Sequence, residues 1–169
     1  MTIDDLKFQT FADASLADRL PSRHSTGGHT VFVAGGTVMW KTKKQPFVAL
    51  SSTEAEFANL TPAGLSTKWV AVPYSGGMRR SATGTHYPFT NSRNAYLLVM
   101  NPLNKVRTRT IDIRYRWVIE QAQKGHLDVR HLKGVDMPAD GLTKPLTREK
   151  YNLSKNMMGM AERRIAWVG

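Results

Sequence analysis

Short apolar or β-branched runs separated by turn residues predict five strands along this chain. They cover residues 8–14, 29–34, 37–41, 87–90 and 127–132. Gly35-Gly36 has the composition of a two-residue hairpin turn, so the second and third strands are expected to pair. The polar, glycine-rich residues 15–28 are expected to form a loop.

A helical pattern begins after the third strand. Ser51, Ser52 and Thr53 supply hydroxyl caps, and Glu54 and Glu56 place acids in the first turn. An apolar face is expected to continue through Leu60, Ala63, Leu65 and Trp69. Because Pro62 interrupts this pattern at a cost of about 3 kcal/mol, a kink or break is expected near Thr61.

The remaining segments complete an α/β plan. Residues 73–86 are rich in Gly, Ser and Arg and are expected to form a loop. Further helical segments are predicted at residues 92–100, 110–124, 138–143 and 147–161. Helices can then cover both faces of one central mixed sheet of five strands. The whole chain, residues 1–169, is expected to form a single domain with its core over about 7–150.

Charge and composition narrow the classes of function. The net charge of +11 and the pI of about 10.2 favour a polyanionic partner such as nucleic acid. The absence of cysteine excludes disulfides and thiolate metal sites. Because the sequence shows no signal peptide and no transmembrane run, the chain is expected to be intracellular, in the cytoplasm or the nucleus, without a membrane partner.

Three acids suggest a metal site. Asp13 lies on a predicted strand, Glu56 on a predicted helix and Asp140 in a late helical turn. Such carboxylates can converge on two divalent cations that clamp the attacking water and the leaving oxygen of a phosphodiester. Spacing alone does not establish the site, because the chain contains 13 acids. Residues 57–111 contain no acid at all.

Five collinear motifs carry a resemblance to a known family. They are FADASLAD (11–18), WKTKKQPFVALSSTEAEF (40–57), FTNSRNAYLLVMNP (89–102), RTIDIRYRWVIEQ (109–121) and ADGLTKPL (139–146). Together they resemble the ribonuclease H domain of Ty1/copia-type retrotransposon polyproteins, with a fungal character. The similarity covers residues 8 to 150.

The resemblance implies a ribonuclease H-like fold and hydrolysis of the RNA strand of RNA–DNA hybrids with two Mg²⁺ or Mn²⁺ ions. It assigns the catalytic and metal-binding positions to Asp13, Glu56, Asn91 and Asp140. The family motif has Asp where this chain has Asn91. Because an amide is neutral, strongly reduced activity is expected, and whether the chain is an enzyme stays open. An engineered substitution, a decayed copy and a domesticated binding domain are all compatible with Asn91.

Basic and polar residues around these motifs are candidate contacts to nucleic acid. Phosphate contacts would position a duplex without reading its sequence. The candidates are Ser15, Lys41, Lys43, Lys44, Ser92, Arg93, Asn94, Arg107 and Arg109. The alternative for the basic clusters is a solvated surface. Trp40, Trp69 and Trp117 are expected to lie in the core.

The sequence is therefore compatible with three functions. The chain can be a ribonuclease H domain with impaired catalysis, an inactive nucleic-acid-binding domain, or a protein-interaction domain of the same ancestry. In a parent polyprotein its neighbour would be a reverse transcriptase domain.

Overall fold

A single mixed sheet organises the computed structural model of the protein. The structure describes residues 8–74, 86–101 and 113–160, and at 72–74 and 113–115 it describes the backbone alone. The sheet has five strands in the order β3-β2-β1-β4-β5. β1 pairs antiparallel with β2 and parallel with β4, β2 pairs antiparallel with β3, and β4 pairs parallel with β5. The strands are β1 (Phe8–Arg19), β2 (His24–Val33), β3 (Gly36–Lys44), β4 (Tyr87–Thr90) and β5 (Arg130–His131).

The predicted loop over residues 15–28 is wrong. β1 continues to Arg19 and β2 already begins at His24, with Ser15 paired to Thr26. Gly27 and Gly28 lie inside β2. Both positions require glycine, because neighbouring side chains fill the space that a Cβ would occupy. The hairpin between β2 and β3 is confirmed, and Gly35 has φ +83° there.

The first helix, α1 (Ser52–Tyr74), crosses the sheet without the expected break. Pro62 is exposed, whereas Leu60 and Ala63 on either side of it are buried in the main core cluster. That packing holds the helix through the proline. Residues 73–74, predicted as loop, are helical, and residues 75–85 lie outside the described part of the chain.

The start of α1 follows the sequence expectation. Ser51 Oγ accepts a hydrogen bond from the Glu54 amide at 3.1 Å, and the Leu50 amide donates to Glu54 Oε2 at 2.7 Å. This pair resembles a capping box, except that Glu54 reaches back to Leu50, the residue before the cap, and it satisfies two amides at the helix end. The Glu54 carboxylate is therefore engaged in a hydrogen bond at the start of the helix.

The buried stripe of α1 differs from the predicted apolar face. Leu65 and Trp69 are 50% and 72% exposed, while Thr67 is buried and hydrogen-bonds the hydroxyl of Thr10 on β1. The two threonine hydroxyls hydrogen-bond each other, so they can occupy buried positions. The prediction considered apolar residues alone and therefore placed the buried face of α1 wrongly. Trp40 is also exposed, at 57%, because it lies on the edge strand β3. The prediction that Trp40 and Trp69 are core residues is wrong, whereas Trp117 is half-buried against the core.

Two further helices complete this side of the sheet. α2 (Arg93–Met100) is confirmed, with Ser92 as its N-cap. α3 (Ile113–Gln123) ends before Gly125, which has φ +72°, and residues 110–112 lie outside the described chain. Val118 is fully buried with Phe57 of α1. β5 is shorter than predicted, since residues 127–132 provide only a two-residue strand and an isolated bridge at Leu127.

The late segments lie near the opposite face of β1 and β2. A 3-10 helix covers Pro138–Leu142, as predicted for a helical turn. α4 (Arg148–Met157) is capped by Thr147 and ends earlier than the predicted residue 161, with Gly159 at φ +69°. Among the described residues, no helix is both long and apolar enough to cross a membrane.

Gly28 sets how closely the 3-10 helix approaches the sheet. A Cβ at this position would lie 2.8 Å from Leu142 Cβ and 2.8 Å from Thr143 Cγ2. We expect Gly28→Ala to lower the free energy of unfolding by about 1–3 kcal/mol, as overpacking does in a core. Urea denaturation measures the change.

Gly36→Ala is the matched control for this prediction. A Cβ at Gly36 would have its nearest contact at 3.7 Å, so the added methyl group fits. We expect a change within about 0.5 kcal/mol. Equal effects of the two substitutions would show that the close approach at Gly28 is not what constrains the fold.

Candidate active site

Asp13 is the centre of the site. It lies in the middle of β1 and is only 1% exposed. Its Oδ1 accepts a hydrogen bond from Asn91 Nδ2 at 3.2 Å, and its Oδ2 accepts one from Thr143 Oγ1. Lys144 Nζ lies 3.7 Å from the same Oδ2. A buried carboxylate is costly unless donors surround it, and here three residues provide them.

Backbone contacts fix the position of Asp13. Asn59 Nδ2, from α1, donates to the carbonyl oxygens of both Asp13 and Gly28 at 2.8 Å. Asp13 and Gly28 are register partners on β1 and β2. One buried amide therefore ties α1 to both central strands at the level of the site.

The 3-10 helix brings Asp140 and Lys144 to Asp13. Ser154 Oγ of α4 donates to the Pro138 carbonyl at 2.8 Å and holds the start of this helix. Thr42 Oγ1 of β3 donates to the Leu142 carbonyl at 3.0 Å and holds its end. Lys144 Nζ then lies 2.5 Å from Asp140 Oδ1, so the ammonium group bridges two acids.

Lys144 is held as a cation in this position. Partial burial opposes the charge, but the hydrogen bond to Asp140 and the negative charges of Asp13, Asp140 and Glu56 together raise the pKa of Lys144. The ammonium group therefore stays protonated through the physiological range.

Glu56 is the third acid, in the first turns of α1. Burial raises its pKa to about 9, and the charge of Asp13 adds to the shift, while a backbone hydrogen bond at Ala14 and the charge of Lys144 oppose it. The side chain is 6% exposed. Its Oε2 is buried and has no hydrogen-bond partner among the described residues.

The unpartnered oxygen of Glu56 bears on whether this site fits a metal. Carboxylate and amide oxygens are the ligands that hard divalent cations prefer, and a buried oxygen without a partner is what a missing cation would leave. The donor set therefore fits Mg²⁺ or Mn²⁺ in kind. In the described parts of the chain, however, no three acidic or histidine side chains are grouped so that they could already hold a metal ion.

Asn91 opens onto a cleft beside the acids. It is half-buried and lies directly after β4, whose parallel pairing with β1 places it next to Asp13. The cleft has a volume of about 430 Å³. Its polar lining includes Asn91, Asp140, Lys144 and Lys150, and its apolar lining includes Val135, Met137, Leu153 and Met157.

The candidate nucleic-acid contacts near Asn91 fall in different environments. Ser15 lies two residues after Asp13 on β1 and therefore on the same face of the sheet. The Ser92 hydroxyl accepts a hydrogen bond from the Ala95 amide at 3.2 Å as the cap of α2. Arg93 and Asn94 are exposed in the first turn of α2. Arg107 and Arg109 lie outside the described residues.

Lys41, Lys43 and Lys44 face a second cavity. This cavity of about 470 Å³ lies between β3 and α1, and its wall includes Phe47 and Trp117. The cleft that contains Asn91 and Asp140 has other lining residues. These lysines therefore line a different cavity from the cleft beside Asn91 and Asp140.

Three side chains that position the site were missed in the sequence: Asn59, Thr143 and Lys144. Thr143 and Lys144 follow Asp140 by three and four residues, a spacing that returns to the same side of a helical turn. That spacing could have placed them beside Asp140. Asn59 follows Glu56 by three residues on α1, but no sequence pattern indicates that it reaches two strand carbonyls.

Comparison with known structures gives the class of fold. The structure is similar to that of LC11-RNase H1 in complex with an RNA/DNA hybrid, with a TM-score of 0.54 and 15% sequence identity. The match covers 81% of this chain and 94% of that chain. The protein therefore has a ribonuclease H fold, as the resemblance of its motifs implied.

Sequence comparison gives the family. The chain is 32% identical over 151 residues to the retrovirus-related Pol polyprotein from transposon TNT 1-94 of Nicotiana tabacum, a match that covers 89% of the chain and 11% of that protein. It is 30% identical over 156 residues to the corresponding polyprotein from transposon RE1 of Arabidopsis thaliana, covering 92% and 10%. The chain is a ribonuclease H-like domain related to the Pol polyproteins of copia-type retrotransposons.

The chain spans about a tenth of the length of the curated relatives it matches. No protein-family model matches it. Both relatives come from plants, and the fungal character expected from the motifs stays a prediction.

The raised pKa of Glu56 predicts how stability depends on pH. A carboxyl whose pKa is higher in the folded than in the unfolded state binds more protons when folded, so stability is greatest below its ordinary pKa and falls as pH rises toward about 9. Without divalent metal, we expect the unfolding free energy of the parent chain to fall by a few kcal/mol between pH 5 and pH 8, since each pKa unit corresponds to about 1.4 kcal/mol. Glu56→Gln should remove most of this fall.

Urea denaturation at a series of pH values, in the presence of a chelator, measures this effect. Glu149→Gln is the control, because Glu149 is an exposed acid at the start of α4. The control should keep the pH dependence of the parent. A parent chain whose stability is flat between pH 5 and pH 8 would show that Glu56 is not a buried neutral acid.

Proposed function

We propose that this domain binds RNA–DNA hybrids, and that its hydrolysis of the RNA strand with two divalent cations is strongly reduced by Asn91. The support is the meeting of Asp13, Asn91 and Asp140 from three distant parts of the chain. Glu56 joins them with a buried oxygen that lacks a partner among the described residues. LC11-RNase H1, which shares this fold, was solved with an RNA/DNA hybrid.

Asp13, Glu56 and Asp140 would hold the metal ions, with Asn91 as a neutral fourth ligand. When bound, the ions would activate the attacking water and stabilise the leaving oxygen. Thr143 and Asn59 orient Asp13 through its side chain and its backbone. Lys150 also lines the cleft.

Asn91 weakens this site in two ways. Its amide adds no negative charge to offset the charge of the cations. Its Nδ2 also donates a hydrogen bond to Asp13 Oδ1, so it occupies a ligand atom that a cation would need. We therefore place the loss of activity at this residue, with the ribonuclease H fold retained.

A second candidate function is binding to nucleic acid without cleavage. The observation that favours it is the same hydrogen bond, because Asn91 and Lys144 together satisfy Asp13 without a metal. The net charge of +11 supports binding in either case. In both cases we propose a reverse transcriptase as the neighbouring domain of a parent polyprotein.

Restoring the acid tests the proposed enzyme. We expect Asn91→Asp to raise Mg²⁺-dependent cleavage of a labelled RNA–DNA hybrid by roughly a hundredfold or more, the scale on which enzymes lose activity when one electrostatic contact is removed. The cleavage rate of the parent chain is measured beside it under the same conditions.

Asn152→Asp is the matched control, because it makes the same amide-to-carboxylate change at an exposed position of α4 that does not line the cleft. It should leave the rate unchanged. If the parent chain cleaves as fast as Asn91→Asp, then Asn91 does not disable the site. If neither folded protein cleaves, the enzymatic part of the proposal fails and binding alone remains.

Arg93 offers a test of the binding surface. It is exposed beside Asn91, so we expect it to contact a backbone phosphate. Arg93→Ala should weaken hybrid binding and reduce the slope of log K against log salt by about 1. Fluorescence anisotropy in the presence of a chelator measures both quantities.

Lys124→Ala is the control for charge alone. Lys124 lies at the end of α3, where the chain turns toward β5, and it is paired with Glu120 at 2.5 Å. That end of the sheet is opposite to Asn91, since β4 and β5 run parallel. An equal loss of slope in both variants would show that binding depends on net charge and not on a surface at the cleft.

A further inference from the structure

Lys144 occupies the position in which a cation is expected. Its Nζ lies 2.5 Å from Asp140 Oδ1 and 3.7 Å from Asp13 Oδ2, so it touches an oxygen of both acids. The same two acids are the ones expected to ligate metal. The side chain of Asp13 is 1% exposed and that of Asp140 is 22% exposed, so water solvates the two carboxylates only in part.

The remaining oxygen of Asp13 also has a donor from the protein. Asn91 Nδ2 donates to Oδ1 at 3.2 Å, and Thr143 Oγ1 donates to Oδ2. Both oxygens of the central carboxylate are therefore occupied by groups of the chain itself. A divalent cation that binds Asp13 must displace at least one of these donors.

A divalent cation cannot occupy the site together with the ammonium group of Lys144. Like charges a few Å apart repel strongly when they are partly removed from water. Asn91 and Thr143 are neutral and can rotate or donate elsewhere. Lys144 is 39% exposed along its side chain, so it has a route to move out toward the cleft.

We propose that Lys144 is an internal cation that holds the acidic site closed without metal, and that a divalent cation binds only by displacing it. This inference rests on the metal site of the proposed function and adds a competition to it. The competition has two consequences. Lys144 stabilises the metal-free fold, and it lowers the affinity of the site for divalent cations.

Replacement of Lys144 by an uncharged residue of similar length separates these consequences. We expect Lys144→Met to bind Mn²⁺ about tenfold more tightly than the parent chain, within the usual range of coupling between two ligands. We also expect it to unfold at a lower temperature when metal is removed, because Asp13 and Asp140 lose their shared counter-ion. Titration calorimetry with Mn²⁺ and thermal unfolding with a chelator measure the two effects.

Lys150→Met is the matched control. Lys150 lines the same cleft, but the described residues place Lys144, and not Lys150, in ion pairs with Asp13 and Asp140. Each variant removes one positive charge from the cleft. Only Lys144→Met should tighten Mn²⁺ binding and lower the metal-free unfolding temperature.

The outcomes separate this inference from the proposed function. Equal tightening in both variants would show a general charge effect and overturn the role of Lys144. Parent and Lys144→Met chains that bind Mn²⁺ equally well would overturn the competition and leave the metal site intact. If the parent chain, Lys144→Met and Asn91→Asp all fail to bind Mn²⁺, the metal site of the proposed function fails with it.

A second measurement applies where Lys144→Met does not fold. Reductive ¹³C-methylation of the parent chain makes each lysine visible by NMR. We expect Mg²⁺ to shift the Lys144 resonance toward that of an exposed lysine and to leave the Lys124 resonance in place. A Lys144 resonance that is unchanged at saturating Mg²⁺ would overturn the displacement.

Discussion

The burial of one negative charge constrains this structure more than any other feature. The Asp13 carboxylate is almost fully removed from water, and such a group is stable only when donors surround it. The donors are Asn91, which follows β4, and Thr143 and Lys144, which follow the 3-10 helix. Each of these segments must therefore reach the middle of β1. The sheet order, the glycines of β2 and the approach of the 3-10 helix all serve that requirement.

The elements that the sequence predicted well are those whose signals are local. The β2–β3 hairpin follows from its glycine turn, and α1 and α2 begin at hydroxyl caps. The secondary-structure predictions were wrong where tertiary contacts determine the local conformation. Gly27 and Gly28 suggest a loop in the sequence, but they lie in a strand. Glycine is required there because Asn59, Leu142 and Thr143 fill the space that a Cβ would occupy. Pro62 does not break α1, since buried neighbours hold the helix on both sides.

The candidate site was predictable in part. The motifs predict four site residues: Asp13, Glu56, Asn91 and Asp140. In the structure Asn91 and Glu56 lie beside Asp13, and Lys144 bridges Asp140 to it. The donors were not predictable, because a threonine or an asparagine carries no periodic signal of what it will contact. The same holds for Lys41, Lys43 and Lys44, whose charges were visible in the sequence while the cavity that they face was not.

The hydrogen bond between Thr143 and Asp13 joins residues that are 130 positions apart. During synthesis the chain emerges from its N-terminus, at about 5–20 residues per second. β1 and β2 can therefore pair long before Thr143 and Lys144 exist. Throughout that interval the Asp13 carboxylate must stay hydrated, so the central strands cannot reach their final burial. The acidic site is then among the last parts of the domain to close, and any chain interrupted before residue 143 would carry an unsatisfied charge in the middle of its sheet.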